Sequence, residues 1–188
     1  MHNRFLKIFH FIDDFNKDHI KSLNKKIIII YRNYKEKYDE QKILKIKNFC
    51  KKLNRKFFLA NNIKLTLKLN LDGAYIPSFN RSLSVSRLKS KNITLIGSAH
   101  NLKEINEKKK QCLDLIVLSP IFDVQKTKKA LGVIRFNILS NQIKSQKVAL
   151  GGINLKNVKK LNMLNCNGFA SISYVKESNN FIKSFIKW

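Results

Sequence analysis

The sequence predicts a compact (β/α)8 barrel, a single domain over residues 1–188 with shortened helices. Three observations predict it. Short apolar runs of strand character alternate with amphipathic stretches along the whole chain, the order that gives parallel strands joined by right-handed crossovers. Eight such runs can be counted, too many for a five-stranded doubly wound sheet. No linker or composition break divides the 188 residues, and 44% of them are hydrophobic, enough for one core. The length requires economy, because barrels usually run to about 250 residues and about 200 is near the low end.

The strands are expected at Leu6–Ile12, Ile27–Tyr31, Phe57–Ala60, Ala74–Ile76, Thr94–Ser98, Leu115–Ser119, Val148–Leu150 and Phe169–Ile172. After the first, the segment from Lys17 to Leu23 has room for about two helical turns. Glu40–Leu53 is the clearest helix, with Ile43, Leu44, Ile46, Phe49 and Leu53 at roughly helical spacing. Leu102–Cys112 follows the fifth strand, with Asn101 as its N-cap and Glu104 in its first turn. Helices are also expected at Ile134–Ile143, Val158–Leu164 and Phe181–Ile186, the last packing one apolar face on the barrel. Asp72 falls at the entrance of the fourth strand, on the face opposite any site, and reads as structural.

The charge is large: 38 Lys and Arg against 12 Asp and Glu, a net +26. Six of the 38 are Arg, the residue of base and phosphate forks, and the lysines are spread along the chain. This favours a local gathering of lysines around an anionic substrate over a specific nucleic-acid partner. No apolar run approaches the roughly 20 residues of a membrane span, and the N-terminus carries no secretory pattern. Cys50, Cys112 and Cys166 are odd in number and far apart. They exclude a disulfide framework or CxxC metal site and suggest buried small residues in a reduced, cytoplasmic protein. His2, His10 and His19 are scattered without metal-ligand spacing.

Glycine is scarce, six in all, so its placement is informative. Gly151 and Gly152 follow the seventh strand, and Ser173 follows the eighth. Backbone N–H groups exposed by such a pair suit a phosphate, at the place where barrels usually bind one. A tight turn alone is the simpler alternative.

The second half carries IGSAHNLKEI at 96–105, DLIVLSPIF at 114–122, ALGVIRF at 130–136, VALGGIN at 148–154 and GFASIS at 168–173. The first half carries YRN at 31–33 and FLANNIKLTLKLNLDGAYI at 58–76. Together, in this order, they resemble the thiamine phosphate synthase and thiazole tautomerase family of small barrels. The resemblance implies a transferase that joins hydroxymethylpyrimidine diphosphate to thiazole phosphate and releases pyrophosphate. It also implies that Arg32 clamps pyrophosphate and that Asn61 is a substrate- or phosphate-binding residue. Ser98 and His100 match a Ser-x-His motif, in a loop one residue shorter than usual. Thr127 and Lys128 match a Thr-Lys loop, and Gly151, Gly152, Ile172 and Ser173 match the thiazole-phosphate site. His100 and Lys128 are the expected catalytic groups.

The departures are concentrated on the other half of the site. The family's two Mg2+-binding aspartates fall on Asn62 and Asn80. A neutral amide is a poor substitute for a carboxylate on Mg2+, so a weakened Mg2+ site is the expectation. The nearest carboxylates by sequence are Asp13, Asp14 and Asp123. The strand-two motif has Ile30 in place of Gln and Tyr34 in place of Lys, with Lys35 beside it, and the usual His of strand four is Tyr75. Two alternatives remain. One is a metal-independent tautomerase-like enzyme using His100; the other is a non-catalytic barrel that binds a phosphorylated ligand, or an RNA.

Overall fold

The computed structural model describes residues 7–90, 92–124 and 130–171. It is a closed barrel of eight parallel strands in sequence order, β1 pairing with both β2 and β8. The elements run β1 (Lys7–Ile12), α1 (Lys17–Ser22), β2 (Ile27–Tyr31), α2 (Glu40–Lys52), β3 (Phe57–Ala60), α3 (Ile63–Lys68) and β4 (Gly73–Ile76). A 3-10 helix (Leu83–Ser90) then leads to β5 (Thr94–Ala99), α4 (Leu102–Lys110), β6 (Leu115–Leu118), α5 (Gly132–Asn141) and β7 (Gln146–Leu150). A second 3-10 helix (Val158–Met163) precedes β8 (Gly168–Ser171).

Strands in such a barrel are buried on both faces, which is why their sequences are continuous apolar runs. In β1, Phe9 and Phe11 join the interior cluster with Ile30, Phe58, Tyr75, Ile96, Val117, Val148 and Ala170. Ile8 and Ile12 face outward, into a second layer with Ile43 and Ile46 of α2, Ile105 of α4 and Phe136 of α5. His10 shares the outward parity and is fully buried. Its Nε2 lies 2.8 Å from Nε2 of His19 on α1, and its Nδ1 lies 3.0 Å from the Ser171 carbonyl oxygen. Two histidines that are scattered in sequence therefore join β1 to α1.

The entrance of the barrel is closed by a repeated device. The residue immediately before each of β4, β6 and β8 accepts a backbone N–H from the preceding odd strand. Asp72 takes it from Phe57 at 2.9 Å, Asp114 from Leu95 at 2.8 Å and Asn167 from Lys147 at 3.0 Å. The structural reading of Asp72 is borne out. Arg55, buried at the same end, donates to the carbonyls of Leu23, Asn24 and Ile27.

Several expectations need correction. The 158–164 segment is a 3-10 helix, and two further helical segments, α3 and Leu83–Ser90, join strands where no helix was expected. Both are too short or too polar to show a periodic stripe. Gly73 is the first residue of β4. Cys50 and Cys166 are buried, but Cys112 is exposed, because it takes the left-handed position (φ 54°) just beyond the C-cap of α4. Phe181–Ile186 lies outside the described residues. Among the described residues no helix is long and apolar enough to cross a membrane.

Asp72→Ala and Asp114→Ala should each lower unfolding free energy by about 1–2 kcal/mol, the loss of a carboxylate-to-backbone hydrogen bond. Urea unfolding checks this, and an additive double variant is expected because the two residues cap different strand pairs.

Candidate active site

Parallel closure places every strand's C-terminal end on one rim, where barrel sites are built. Arg32 stands just beyond β2, its N–H donating to the Ile12 carbonyl of β1 at 2.8 Å. Its guanidinium carbon lies 4.6 Å from the centre of the Phe11 ring, a cation–π contact that orients the fork. The Phe11 ring packs edge-on against Tyr75 of β4 at 5.1 Å. Burial pushes the Tyr75 phenol up, while the neighbouring Ser98 hydroxyl and the Arg32 guanidinium pull it down. Tyr75 therefore stays neutral between Arg32, just beyond β2, and Ser98 of β5.

Beyond β3 the rim is made of asparagines. Asn61 takes a left-handed φ of 53° and donates its N–H to the Tyr75 carbonyl at 2.8 Å. Its Oδ1 accepts from Asn80 Nδ2 at 2.7 Å. Asn62 does not join this pair. Its Oδ1 caps α3, accepting from Leu65 N–H at 3.0 Å. The structure thus brings Asn80 to Asn61. Above them Tyr34 and Phe79, both exposed, meet edge to face at 5.7 Å.

His100 is exposed at the end of β5. Asn101 caps α4 as expected, accepting from Glu104 N–H. Glu104 reaches back to accept from both the backbone N–H and the Nδ1 of His100, each at 2.8 Å. A carboxylate accepts only, so Nδ1 carries the proton and Nε2 is the basic nitrogen.

Gly151 and Gly152 follow β7 with φ values of 99° and 69°. The loop after β6 is laid on them: Ile121 N–H donates to the Leu150 carbonyl at 2.9 Å and Phe122 N–H to the Gly151 carbonyl at 3.1 Å. Asn157 Nδ2 holds the Gly152 carbonyl at 2.7 Å. A Cβ on Gly152 would fall 2.5 Å from the carbonyl oxygens of both Phe122 and Asp123. Glycine is needed here for this close approach as well as for the left-handed backbone.

The family model of thiamine monophosphate synthase matches residues 20–175. The chain belongs to this family. A thiamine-phosphate synthase of Prochlorococcus marinus (strain AS9601) is 28% identical over 175 residues, 87% of this chain and 49% of that protein. Thiamine-phosphate synthase 1 of Streptococcus pneumoniae (strain ATCC BAA-255 / R6) is 27% identical, over 75% of this chain and 69% of its own. The chain thus spans about half the length of the Prochlorococcus relative. The solved thiamine phosphate pyrophosphorylase from Pyrococcus furiosus superposes with a TM-score of 0.77 over 98% of this chain and 97% of its own, at 16% identity. That likeness shows the fold.

Set in the thiamine monophosphate synthase family, the asparagines do not fit a protein-bound Mg2+. Neither position offers a carboxylate, and Asn62 Oδ1 is used by the cap of α3. Asn80 Oδ1 accepts from Ser82 N–H at 3.0 Å, and Asn61 Oδ1 from Asn80. Mg2+ prefers carboxylate oxygen. Asp13 and Asp14 lie at the other side of Arg32, lining an open cleft of about 810 Å3 with Asn33, Tyr34, Lys35, Glu36 and Lys42. Asp14 is held low by its hydrogen bond to Lys42. This cleft has three cations and three carboxylates, so the expected gathering of lysines is not found here.

Thr127, Lys128, Ile172 and Ser173 lie outside the described residues. Two features escaped the sequence reading. Tyr75 is expected only as a departure, yet it packs on Phe11 beneath Arg32. Lys108 is one of the lysines spread along the chain, with nothing to mark it apart, yet it is fully buried. Its sequence signal was its position, three residues after Ile105 on the buried face of α4. Burial pushes the Lys108 ammonium down to about 8, while Glu107 and Glu104 hold it up.

Gly152→Ala should cost about 2–4 kcal/mol, a left-handed penalty plus overpacking against two carbonyls. Urea unfolding measures this, and a cost near zero would show that the loop after β6 yields freely.

Proposed function

We propose that the chain acts as a thiamine phosphate synthase, joining hydroxymethylpyrimidine diphosphate to thiazole phosphate with release of pyrophosphate. The observation that carries this reading is convergence. Arg32, Asn61, Ser98, Gly151 and Gly152, each assigned by its match to a family motif, stand at C-terminal strand ends on one rim of the closed barrel. In the reaction the bond between the pyrimidine methylene carbon and the diphosphate oxygen breaks, and its electron pair leaves with pyrophosphate. The pyrimidine-stabilised cation is captured by the lone pair of the thiazole nitrogen. Arg32 supplies a fork for the departing diphosphate, held on Phe11 and Tyr75. The Gly151–Gly152 turn receives the thiazole phosphate on its backbone. Free thiols at Cys50, Cys112 and Cys166 suit a cytoplasmic enzyme.

The His100–Glu104 pair favours a second reading, a tautomerase-like proton transfer on a thiazole phosphate carboxylate. A base whose Nδ1–H is fixed by a carboxylate presents Nε2 for that step.

Purified protein supplied with both substrates should form thiamine phosphate. Arg32→Ala should lower kcat/KM by about 100-fold or more, the scale of removing a charged donor from a leaving group. On this reading His100 is not the catalytic group that the resemblance implies: His100→Ala should leave synthesis within about threefold, because ionisation of the diphosphate needs little acid–base help. No product from the wild type, with His100-dependent turnover of the thiazole carboxylate, would transfer the assignment to the tautomerase-like reading.

A further inference from the structure

The rim loop after β4, residues 77–82, is organised from behind by α4. Lys108 Nζ donates to the carbonyl oxygens of Pro77 at 2.8 Å and Asn80 at 2.7 Å, and to Gln111 Oε1 at 3.0 Å. All three of its protons are used. Gln111, also fully buried, donates through Nε2 to the carbonyls of Asn80 and Ser82, each at 2.9 Å. Within the loop, Asn80 N–H donates to the Pro77 carbonyl at 3.1 Å. Arg81 pairs with Glu107 of α4 at 3.2 Å. The Asn80 side chain is then aimed: its Oδ1 accepts from Ser82, and its Nδ2 donates to Asn61 beyond β3. A continuous line of contacts runs from the buried ammonium through Asn80 to Asn61 on the rim.

A buried ammonium is costly unless its protons are fully accepted, and here every acceptor but Gln111 belongs to this one loop. A plain packing contact needs no charge. The ammonium stands directly behind Asn80, one of the two positions where the family's pattern calls for a metal-binding carboxylate and this chain has none. A divalent ion bound at Asn80 would meet that fixed positive charge at short range. We infer that Lys108 is a positioning residue: with Gln111 it fixes the β4 rim loop by an internal ammonium, in the role the family's pattern gives to carboxylates around a divalent ion. This rests on the family reading of Asn80 as a rim residue, though not on turnover.

Three measurements test it. Hydrogen–deuterium exchange of the wild type should show protected amides at Asn80 and Ser82, whose N–H groups are bonded within the loop. In Lys108→Met these should exchange about tenfold faster or more, while β1 and β6 remain protected. Gln111→Ala, which removes two of the same bonds, gives the milder comparison should Lys108→Met fail to fold, and it should move the same amides. Mn2+ alone, titrated into the wild type and followed by its paramagnetic resonance, should show no saturable site tighter than about 1 mM, the weak end for cation sites. With both substrates, Lys108→Met should raise KM for the pyrimidine diphosphate about tenfold and change kcat and the thiazole phosphate KM by less than about threefold, the mark of lost ground-state positioning. Unchanged exchange in both variants would overturn the inference. So would a micromolar Mn2+ site abolished by Asn80→Ala, or a fall in kcat with both KM values unchanged. If the wild type makes no product, the synthase reading fails on that result, and exchange and Mn2+ binding decide this inference by themselves.

Discussion

Closure of the sheet is the constraint on which the rest of the structure depends. Once β8 pairs with β1, no edge remains, and every strand lies between an interior of side chains and a layer of helices. Polar side chains that face the barrel interior are then confined to the two ends, and the ends divide the work. At the entrance, Asp72, Asp114 and Asn167 bind backbone donors of the strand before them, and Arg55 binds three carbonyls. At the exit, Arg32, Asn61, His100 and the Gly151–Gly152 pair follow directly on strand ends, where nothing in the register requires them. Polar residues at the entrance are accounted for by the sheet. Those at the exit are not, and the proposed chemistry is assigned to them.

That division explains what could be read from the sequence. All eight strands were legible because two-sided burial forces unbroken apolar runs. Ile27–Tyr31 and Phe57–Ala60 have the expected bounds, and the others shift by a residue or two. The α2 stripe was legible because thirteen residues allow several periods. α3 was not, because six residues allow barely one. The same logic holds in the site. Arg32, Ser98 and the glycine pair sit within strand-end motifs, so order along the chain located them. The Asn61–Asn80 contact, the packing of Tyr75 on Phe11 and the Lys108 clasp depend on register between elements, which spacing along one segment does not encode. Lys108 also runs against the ordinary expectation that lysine in a charge run is solvated.

The half of the rim that departs from the family resemblance is bonded internally. Asn62 and Asn80 carry no charge that would hold a divalent ion, and both amides are bonded within the protein. One caps a helix, and the other bridges to a neighbouring strand end. A lysine fills the space behind them, its charge balanced in part by Glu107 and Glu104. The carbonyls of Pro77 and Asn80 meet the ammonium, and the neutral Asn80 amide places no second charge beside it.

The net charge of +26 takes on a narrower meaning in this light. Lysines spread over the surface act at long range and are screened within about a Debye length, roughly 8 Å in physiological salt. They raise the arrival rate of an anionic ligand but cannot orient it. In the proposed reaction, orientation falls to two cations whose positions are fixed: Arg32, stacked on Phe11 beside Tyr75, and Lys108, clamped among three oxygens. The first stands at the rim, where the proposal places the diphosphate. The second is sealed beneath it and acts through the loop it holds. Both are fixed by the packing that closes the barrel, so the geometry of this rim depends on the closure of the sheet beneath it.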